Sequence, residues 1–288
     1  MQVRRFDDNP IIVPHMDERM GDNINGPSLI RVPDWVESPL GKYYLYFAHH
    51  QGTYIRMAYA DALEGPWTIH VPGVLDMKDA FWGSHIASPD IHILDDQREI
   101  RMYYHGCCID EPPYQMTHLA VSRDGLTFTA NPERLGSSYW RAFRWQDHWY
   151  TLEMPGVFRR SLTGVTGFEE GPTLFTVDMR HSAVLLRGTA LHVFFSNAYD
   201  CPECILHSRI DLESDWMVWE ATEPVTLLAP DCDYEGADRP LDPSERGSVH
   251  ERVRQLRDPG IFEEDGKTYL LYSVAGEYGL AIAELALD

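Results

Sequence analysis

The strongest constraint in this sequence is a two-strand unit that recurs five times along the chain. Its clearest copy, Leu256 to Ser273, opens on Arg-Asp-Pro-Gly, runs through a short apolar stretch into the acidic turn Glu263-Glu-Asp-Gly, and resumes as Lys-Thr-Tyr-Leu-Leu-Tyr. Two apolar runs joined by an Asp-Gly turn read as adjacent antiparallel strands. The other copies run from Gly26 into Lys42-Tyr-Tyr-Leu-Tyr-Phe, from Ser88 into Glu99-Ile-Arg-Met-Tyr-Tyr, from Tyr139 into Trp149-Tyr-Thr-Leu-Glu, and from Arg180 into Leu191-His-Val-Phe-Phe-Ser. A third apolar segment follows each pair, and in the first four copies a Pro-bearing fourth follows that. Proline suits an outermost strand, whose free edge needs no N–H donor.

The fifth copy reaches Asp288 with three strands, while an orphan segment of the outer type, Asn9-Pro-Ile-Ile-Val-Pro, stands near the start. Four-stranded units arranged radially close when such a first strand completes the last unit. The expected fold is therefore all-β, a five-bladed β-propeller. It spans residues 1–288 as one domain, with its last blade closed by the N-terminal strand and a long loop insertion at about 229–254. Two stacked sandwiches would house the same strands, but would not call for a missing last strand and a spare first one.

A chain of 288 residues, 44% hydrophobic, has enough apolar surface for a core of that size. The net charge of −21 disfavours a phosphate-backbone partner, so no nucleic acid is expected. No apolar run reaches membrane length and Met-Gln-Val-Arg-Arg-Phe has no signal core, which leads to an expectation of no membrane partner and a cytoplasmic location. Five cysteines, an odd number, do not suggest a disulfide framework. Cys201-Pro-Glu-Cys204, with His207 and Cys232, has the ligand types of a thiolate metal site, yet a single CxxC reads more simply as reduced thiols in a loop.

Function is expected where the long polar connections gather: 14–25, 76–87, 106–115, 197–203 and 229–254 all fall on one face of the propeller. The inner strands begin there too. Pairing Asn25-Gly26, Ala87-Ser88, Ser138-Tyr139, Arg180-His181 and Arg257-Asp258 as equivalent starts places them around the channel mouth, and period-two alternation turns Asp90 to the side of Ser88. The second strands deliver His49, His50, His105, Glu153, Asn197 and Ser273 to the same mouth. Each has a structural reading beside the functional one: Asp258 as a turn cap before proline, His181 as a hydrogen-bonded core histidine, Asp90 as a channel acid holding water or an ion. Trp82, Tyr139, Trp140 and Tyr199 are the aromatics near enough to stack on a sugar ring.

The segment Arg257-Asp-Pro-Gly-Ile-Phe-Glu-Glu-Asp-Gly-Lys-Thr-Tyr-Leu-Leu-Tyr-Ser resembles the blade motif of the five-bladed propeller glycoside hydrolases, the group of families 43, 32, 117 and 130. Ala87-Ser-Pro-Asp-Ile-His-Ile is similar to the Trp-Ala-Pro-Asp segment of family 43, and Asn9-Pro-Ile-Ile resembles the opening strand of family 130. The likeness covers the whole chain and implies fold more strongly than substrate. The catalytic pattern departs from it. Where these families carry a base aspartate in the first inner strand, this chain has Asn25-Gly26-Pro27, with Asp22 the nearest acid. Tyr139 stands at the second aspartate, and His181 at the acid glutamate. Family 117 is understood to use a histidine as acid, so the resemblance allows His181 that role.

The expectation is a hydrolase of a short or terminal glycoside, an oligosaccharide or simple glycoside, acting with inversion. Asp258 or Asp22 would activate water, Glu153 or His181 would protonate the leaving oxygen, and Asp90 would tune the acid. Direct displacement needs its two groups about 6.5–9.5 Å apart. Asp22, Asn25, His49, His105, Tyr139, Arg180, Asn197, Glu235 and Arg257 are the expected substrate contacts, with Glu235, Asp238 and Arg239 on a rim or lid. No cofactor is expected to be required, and no catalytic metal; a structural divalent ion such as calcium has room in the channel near His181 or Asp90. Two rivals remain at this point: a sugar-binding propeller without catalysis, and a phosphorylase using Arg180, Arg257 and His49 for phosphate.

Overall fold

The structure, a computed structural model, describes residues 1–81, 83–107 and 115–287. Trp82 and the central part of the 106–115 connection lie outside the described residues. Five antiparallel sheets follow one another along the chain. Blade 1 comprises Asn25–Arg31, Tyr43–Ala48 and Tyr54–Ala60; blade 2, Ile86–Leu94, Glu99–Cys107 and Gln115–Ser122. Blade 3 comprises Arg141–Trp145, His148–Glu153, Val157–Ser161 and Glu169–Thr173; blade 4, Met179–Arg187, Ala190–Asn197, Ile205–Asp211 and Val225–Leu228. Blade 5 comprises Arg257–Glu264, Lys267–Ser273 and Leu280–Ala286, and Gln2–Arg5 adds its fourth strand. The five-bladed propeller expected from the repeats is the observed fold.

Apolar side chains occupy both faces of most strands, because each blade is sandwiched between two others. Tyr44 and Tyr46 pack toward Met102 and Tyr104 of blade 2, while Leu45 and Phe47 pack the other way, toward Leu271 and Ile282 of blade 5. Phe158 and Phe195 join blades 3 and 4, and Phe194 and Leu270 join blades 4 and 5. Tyr103, Trp140 and Trp149 fill the interface of blades 2 and 3. Burial on both faces explains why the strands read as continuous apolar runs rather than clean alternations.

Closure by the N-terminus holds, with a shift in which residues make it. Gln2 through Arg5 pair with Ala286 through Ala283, upstream of the segment singled out in the sequence. That segment continues the same edge: Ile11 and Ile12 exchange backbone hydrogen bonds with Leu280. Between them Pro10 has no N–H to give, and the Asn9 side chain takes over. Its Nδ2 donates to the Ile282 carbonyl at 2.8 Å, and its Oδ1 accepts from the Ile282 N–H at 2.9 Å. The outer strands of blades 1 and 2 are likewise broken around Pro72 and Pro132 into two-residue pieces, Thr68–Ile69 with Leu75–Asp76 and Thr129–Ala130 with Gly136–Ser137.

The inner strands carry the feature that shapes the channel. Their ladders slip between Asn25 and Ser28, Ala87 and Asp90, Met179 and Ser182, and Arg257 and Gly260. At four equivalent places the backbone is left-handed: Gly26, Ser88, Tyr139 and Asp258, with φ of 63°, 50°, 62° and 48°. An extra residue re-aims the side chains that follow it. Two sequence expectations change as a result. Met179, opposite Asn197, is the partner of Arg257, opposite Ser273, so Arg180 rather than His181 is the counterpart of Asp258, and His181 stands with the prolines. The slip after Ala87 also breaks the alternation that was to carry Asp90 to the side of Ser88.

Candidate active site

Side chains from four blades touch one another in turn. The imidazole of His105, at the end of the second strand of blade 2, lies 4.2 Å centroid to centroid from the Tyr139 ring of blade 3. Tyr139 lies 4.1 Å from the His181 ring of blade 4, and His181 Nδ1 contacts the Asp258 carboxylate of blade 5. Groups from four blades meet this closely only around the axis. Blade 1 contributes Gly26, where a Cβ would stand 3.1 Å from the Ser88 Cα. His105, Tyr139, His181 and Asp258 are all buried.

Burial pushes the His181 pKa well below the usual imidazole range, and Arg180, His50 and Arg257 push it the same way. The ring is therefore neutral at neutral pH. Nδ1 is the ring nitrogen in contact with the Asp258 carboxylate, outside hydrogen-bond geometry; a neutral ring protonated there carries its lone pair on Nε2. His105 is also pushed well down, by burial first and then by His85, His50 and Arg141; neither of its ring nitrogens has a partner among the described residues. Burial raises the Tyr139 phenol, which stays protonated.

Behind this ring lies a buried ionic network that pins the long insertion. Arg257 Nε is 3.3 Å from Glu203 and its Nη1 is 3.3 Å from Glu277; Arg180 Nη1 is 3.2 Å from Glu203. Both guanidinium groups also donate to the Gly247 carbonyl, at 3.0 and 3.1 Å, and Arg180 to that of Glu245 at 3.2 Å. Ser196 holds the other oxygen of Glu203 at 2.6 Å. Burial works to raise Glu277, but His50, Arg257 and Asn23 outweigh it and bring its pKa to about 2. Arg180 and Arg257 thus sit beside the ring with their donors engaged by protein acceptors. Glu203 and Glu277 were not singled out in the sequence: one sits inside the CxxC segment and the other in a turn past a strand, so neither breaks a periodic pattern.

Glu153 is buried in the interface of blades 2 and 3, apart from the axial ring. Its Oε2 accepts from Trp140 Nε1 at 2.7 Å and Ser137 N–H at 2.9 Å, and its Oε1 pairs with Arg159 at 3.0 Å. Burial raises its pKa against the pull of those donors. Asp90 ties the same two blades: Oδ2 accepts from the Ala142 N–H at 2.8 Å and meets His92 Nε2 at 2.8 Å. Burial works to raise Asp90, but His92, Arg141 and the Ala142 amide bring it down. Ser28 makes the equivalent tie, accepting from Ile91 N–H at 3.0 Å between blades 1 and 2.

The remaining candidates divide. Asn25 donates to Asn23 Oδ1 at 3.3 Å, and the Asn197 carbonyl oxygen is buried without a partner among the described residues. Asp22 and His49 converge with His250 of the insertion, a residue not singled out in the sequence; their ligand atoms lie within 4.8 Å of one another, a set capable of holding a metal ion. Glu235 is fully buried on Arg5 at 2.7 Å and the Tyr272 hydroxyl at 2.9 Å, fastening the insertion to blade 5 and the N-terminal strand, while Asp238 and Arg239 pair at its surface. Tyr199 is exposed and Trp140 is packed in the core. Cys201, Cys204, His207 and Cys232 do not gather as a ligand set; Asp22, His49 and His250 are the set found among the described residues. Calcium does not fit the expected positions, since it takes six to eight oxygens, whereas Asp90 is filled by protein donors and the ring offers two imidazoles, a phenol and one carboxylate. A cavity of about 910 Å³ on the outer strands of blades 1 and 2 is lined by residues that include His70, Phe81 and Phe128 and by none of the axial groups.

No family model matches this sequence. An uncharacterized protein of Acanthamoeba polyphaga mimivirus is 35% identical over 297 aligned positions, covering 91% of this chain and 83% of that protein. The chain belongs to that protein's family. Solved structures share its architecture. A GH43 beta-xylosidase/alpha-arabinofuranosidase from a compost microbial metagenome, in complex with xylotriose in a calcium-free form, matches with a TM-score of 0.64 at 15% identity, over 99% of this chain and 96% of that one. A glycosyl hydrolase from Bacteroides ovatus matches with a TM-score of 0.74 at 11% identity, over 99% and 93%. A GH43 enzyme from Xanthomonas citri matches with a TM-score of 0.64 at 12% identity, over 96% and 92%. The fold is that of the five-bladed propellers found among glycoside hydrolases.

Proposed function

We propose that this protein hydrolyses a short or terminal glycoside at the channel mouth, with His181 and Asp258 working as one acid–base unit. The observation that carries this reading is their buried contact across two blades, on a fold shared with glycosidases. Two groups in contact leave no room for a sugar and a water between them, so they do not serve as the opposed acid and base of a direct displacement. A neutral imidazole oriented by a carboxylate is suited to the other arrangement. Nε2 of His181 takes a proton from the attacking water as its oxygen bonds to the anomeric carbon, Asp258 stabilises the imidazolium, and the glycosidic C–O bond breaks. The departing oxygen takes its proton from the medium and leaves as a hydroxyl, the imidazolium then returns its proton to solvent, and Tyr139, tilted against the His181 ring, orients the imidazole.

Phosphorolysis is less well supported, because Arg180 and Arg257 are spent on Glu203, Glu277 and loop carbonyls. A sugar-binding role without turnover draws on the engagement of Glu153 by three donors, which removes the second expected acid from the mouth. Release of aryl alcohol from a panel of aryl pentosides and hexosides, with and without phosphate, separates the three. The hydrolytic reading calls for phosphate-independent release that His181→Ala abolishes. Binding of the panel sugars with no release by the wild type contradicts it.

A further inference from the structure

Asp22, His49 and His250 come from three distant stretches: the approach to the first inner strand, the end of the second strand of blade 1, and the long insertion. What brings them together is built into the fold. Asn23, fully buried, accepts the His50 N–H on Oδ1 at 2.8 Å and donates through Nδ2 to the Val249 carbonyl at 3.0 Å. One side chain thus fixes the backbone beside all three residues, since Asn23 follows Asp22, His50 follows His49 and Val249 precedes His250. Glu277 reinforces the arrangement by accepting from Asn23 Nδ2 and from Val249 N–H, the latter at 3.3 Å, while its other oxygen meets His50 Nδ1 at 3.2 Å. With the backbone fixed beside each of them, the three side chains start from neighbouring anchor points.

The donor chemistry selects the ion. Two imidazoles and one carboxylate suit zinc and its first-row neighbours, whereas calcium and magnesium prefer all-oxygen sets. The Gln51 N–H occupies His49 Nδ1 at 2.9 Å, and an ion taking that nitrogen displaces this bond from an exposed turn. The side chains of Asp22 and His250 are 45% and 50% exposed, which keeps further coordination positions open to water or a ligand oxygen.

We propose that Asp22, His49 and His250 form a binding site for a zinc-class divalent ion, three protein ligands with an open side toward solvent. This stands independently of any catalysis in the channel. The test uses untagged full-length protein, stripped with a chelator and titrated calorimetrically with Zn²⁺ and with Ca²⁺. One equivalent of Zn²⁺ is expected to bind and raise the melting temperature, with no comparable Ca²⁺ uptake. His250→Ala, at an exposed position, is expected to weaken Zn²⁺ binding by more than about tenfold while leaving the metal-free melting temperature unchanged. Cys201→Ser is expected to leave binding intact, and Asp22→Asn to weaken it as His250→Ala does. Absence of stoichiometric Zn²⁺ binding, equal Ca²⁺ binding, or Zn²⁺ binding that survives His250→Ala but is lost in Cys201→Ser overturns the proposal.

Discussion

At the scale of single residues, Asp258 combines a left-handed backbone, complete burial and contact with an imidazole of the next blade. Asn at this position keeps the shape and tolerates the backbone but cannot stabilise a charged His181. Asp258→Asn is therefore expected to reduce kcat by about 10²-fold or more, with the affinity for a bound sugar little changed, measured by steady-state kinetics and calorimetry. The neutral state of His181 also fixes a pH dependence. The rate is expected to be full at neutral pH and to fall as pH drops through a value below the usual imidazole range, because protonation removes the lone pair. Glu277 gives a second residue-level expectation. Its pKa, brought from an ordinary 4.5 to about 2, means that it stabilises the fold above about pH 4.5 and loses that contribution as pH falls toward 2. The amount is on the order of 3 kcal/mol. Urea unfolding of the wild type and Glu277→Gln across that window is expected to show a steep acid loss in the former and a much shallower one in the latter. The identity of the axial residues was legible in the sequence for Asp258, Tyr139, His105 and His181. Their pairing was not, because the bulges and the one-residue offset of blade 4 leave no mark on a hydrophobic pattern.

At the scale of elements, the repeat and the closing strand could be read from alternating apolar and turn segments, whereas the contacts between blades could not. Asp90 and Glu153 illustrate the difference. Each interrupts an apolar run, as a mouth-facing catalytic acid would, and each is turned into a blade interface where backbone and side-chain donors satisfy it. A carboxylate in a strand does not announce which face it takes once the strand has slipped. Closure offers two tests. Asn9→Ala removes the two hydrogen bonds that carry the N-terminal edge past Pro10, and is expected to cost about 1–3 kcal/mol in urea unfolding. Gly260 packs against the first inner strand, where an added Cβ would lie 2.6 Å from the Pro27 carbonyl oxygen. Gly260→Ala forces blades 5 and 1 apart and is expected to destabilise by about 1–3 kcal/mol, read as a lower melting temperature. An unchanged melting temperature would mean that this seam is looser than the structure describes.

At the scale of the whole molecule, the propeller gathers residues from distant parts of the chain around one axis, and the account of function depends on His181 and Asp258 forming a unit there rather than two separate groups. Fold alone does not establish chemistry, since propellers host many activities. A double-mutant cycle on the rate of aryl glycoside hydrolysis is the most direct measurement. If the two residues act together, His181→Ala with Asp258→Asn is no slower than the slower single variant, because the second substitution removes a function already lost. Losses that multiply, or single variants that hydrolyse at the wild-type rate, would contradict the account.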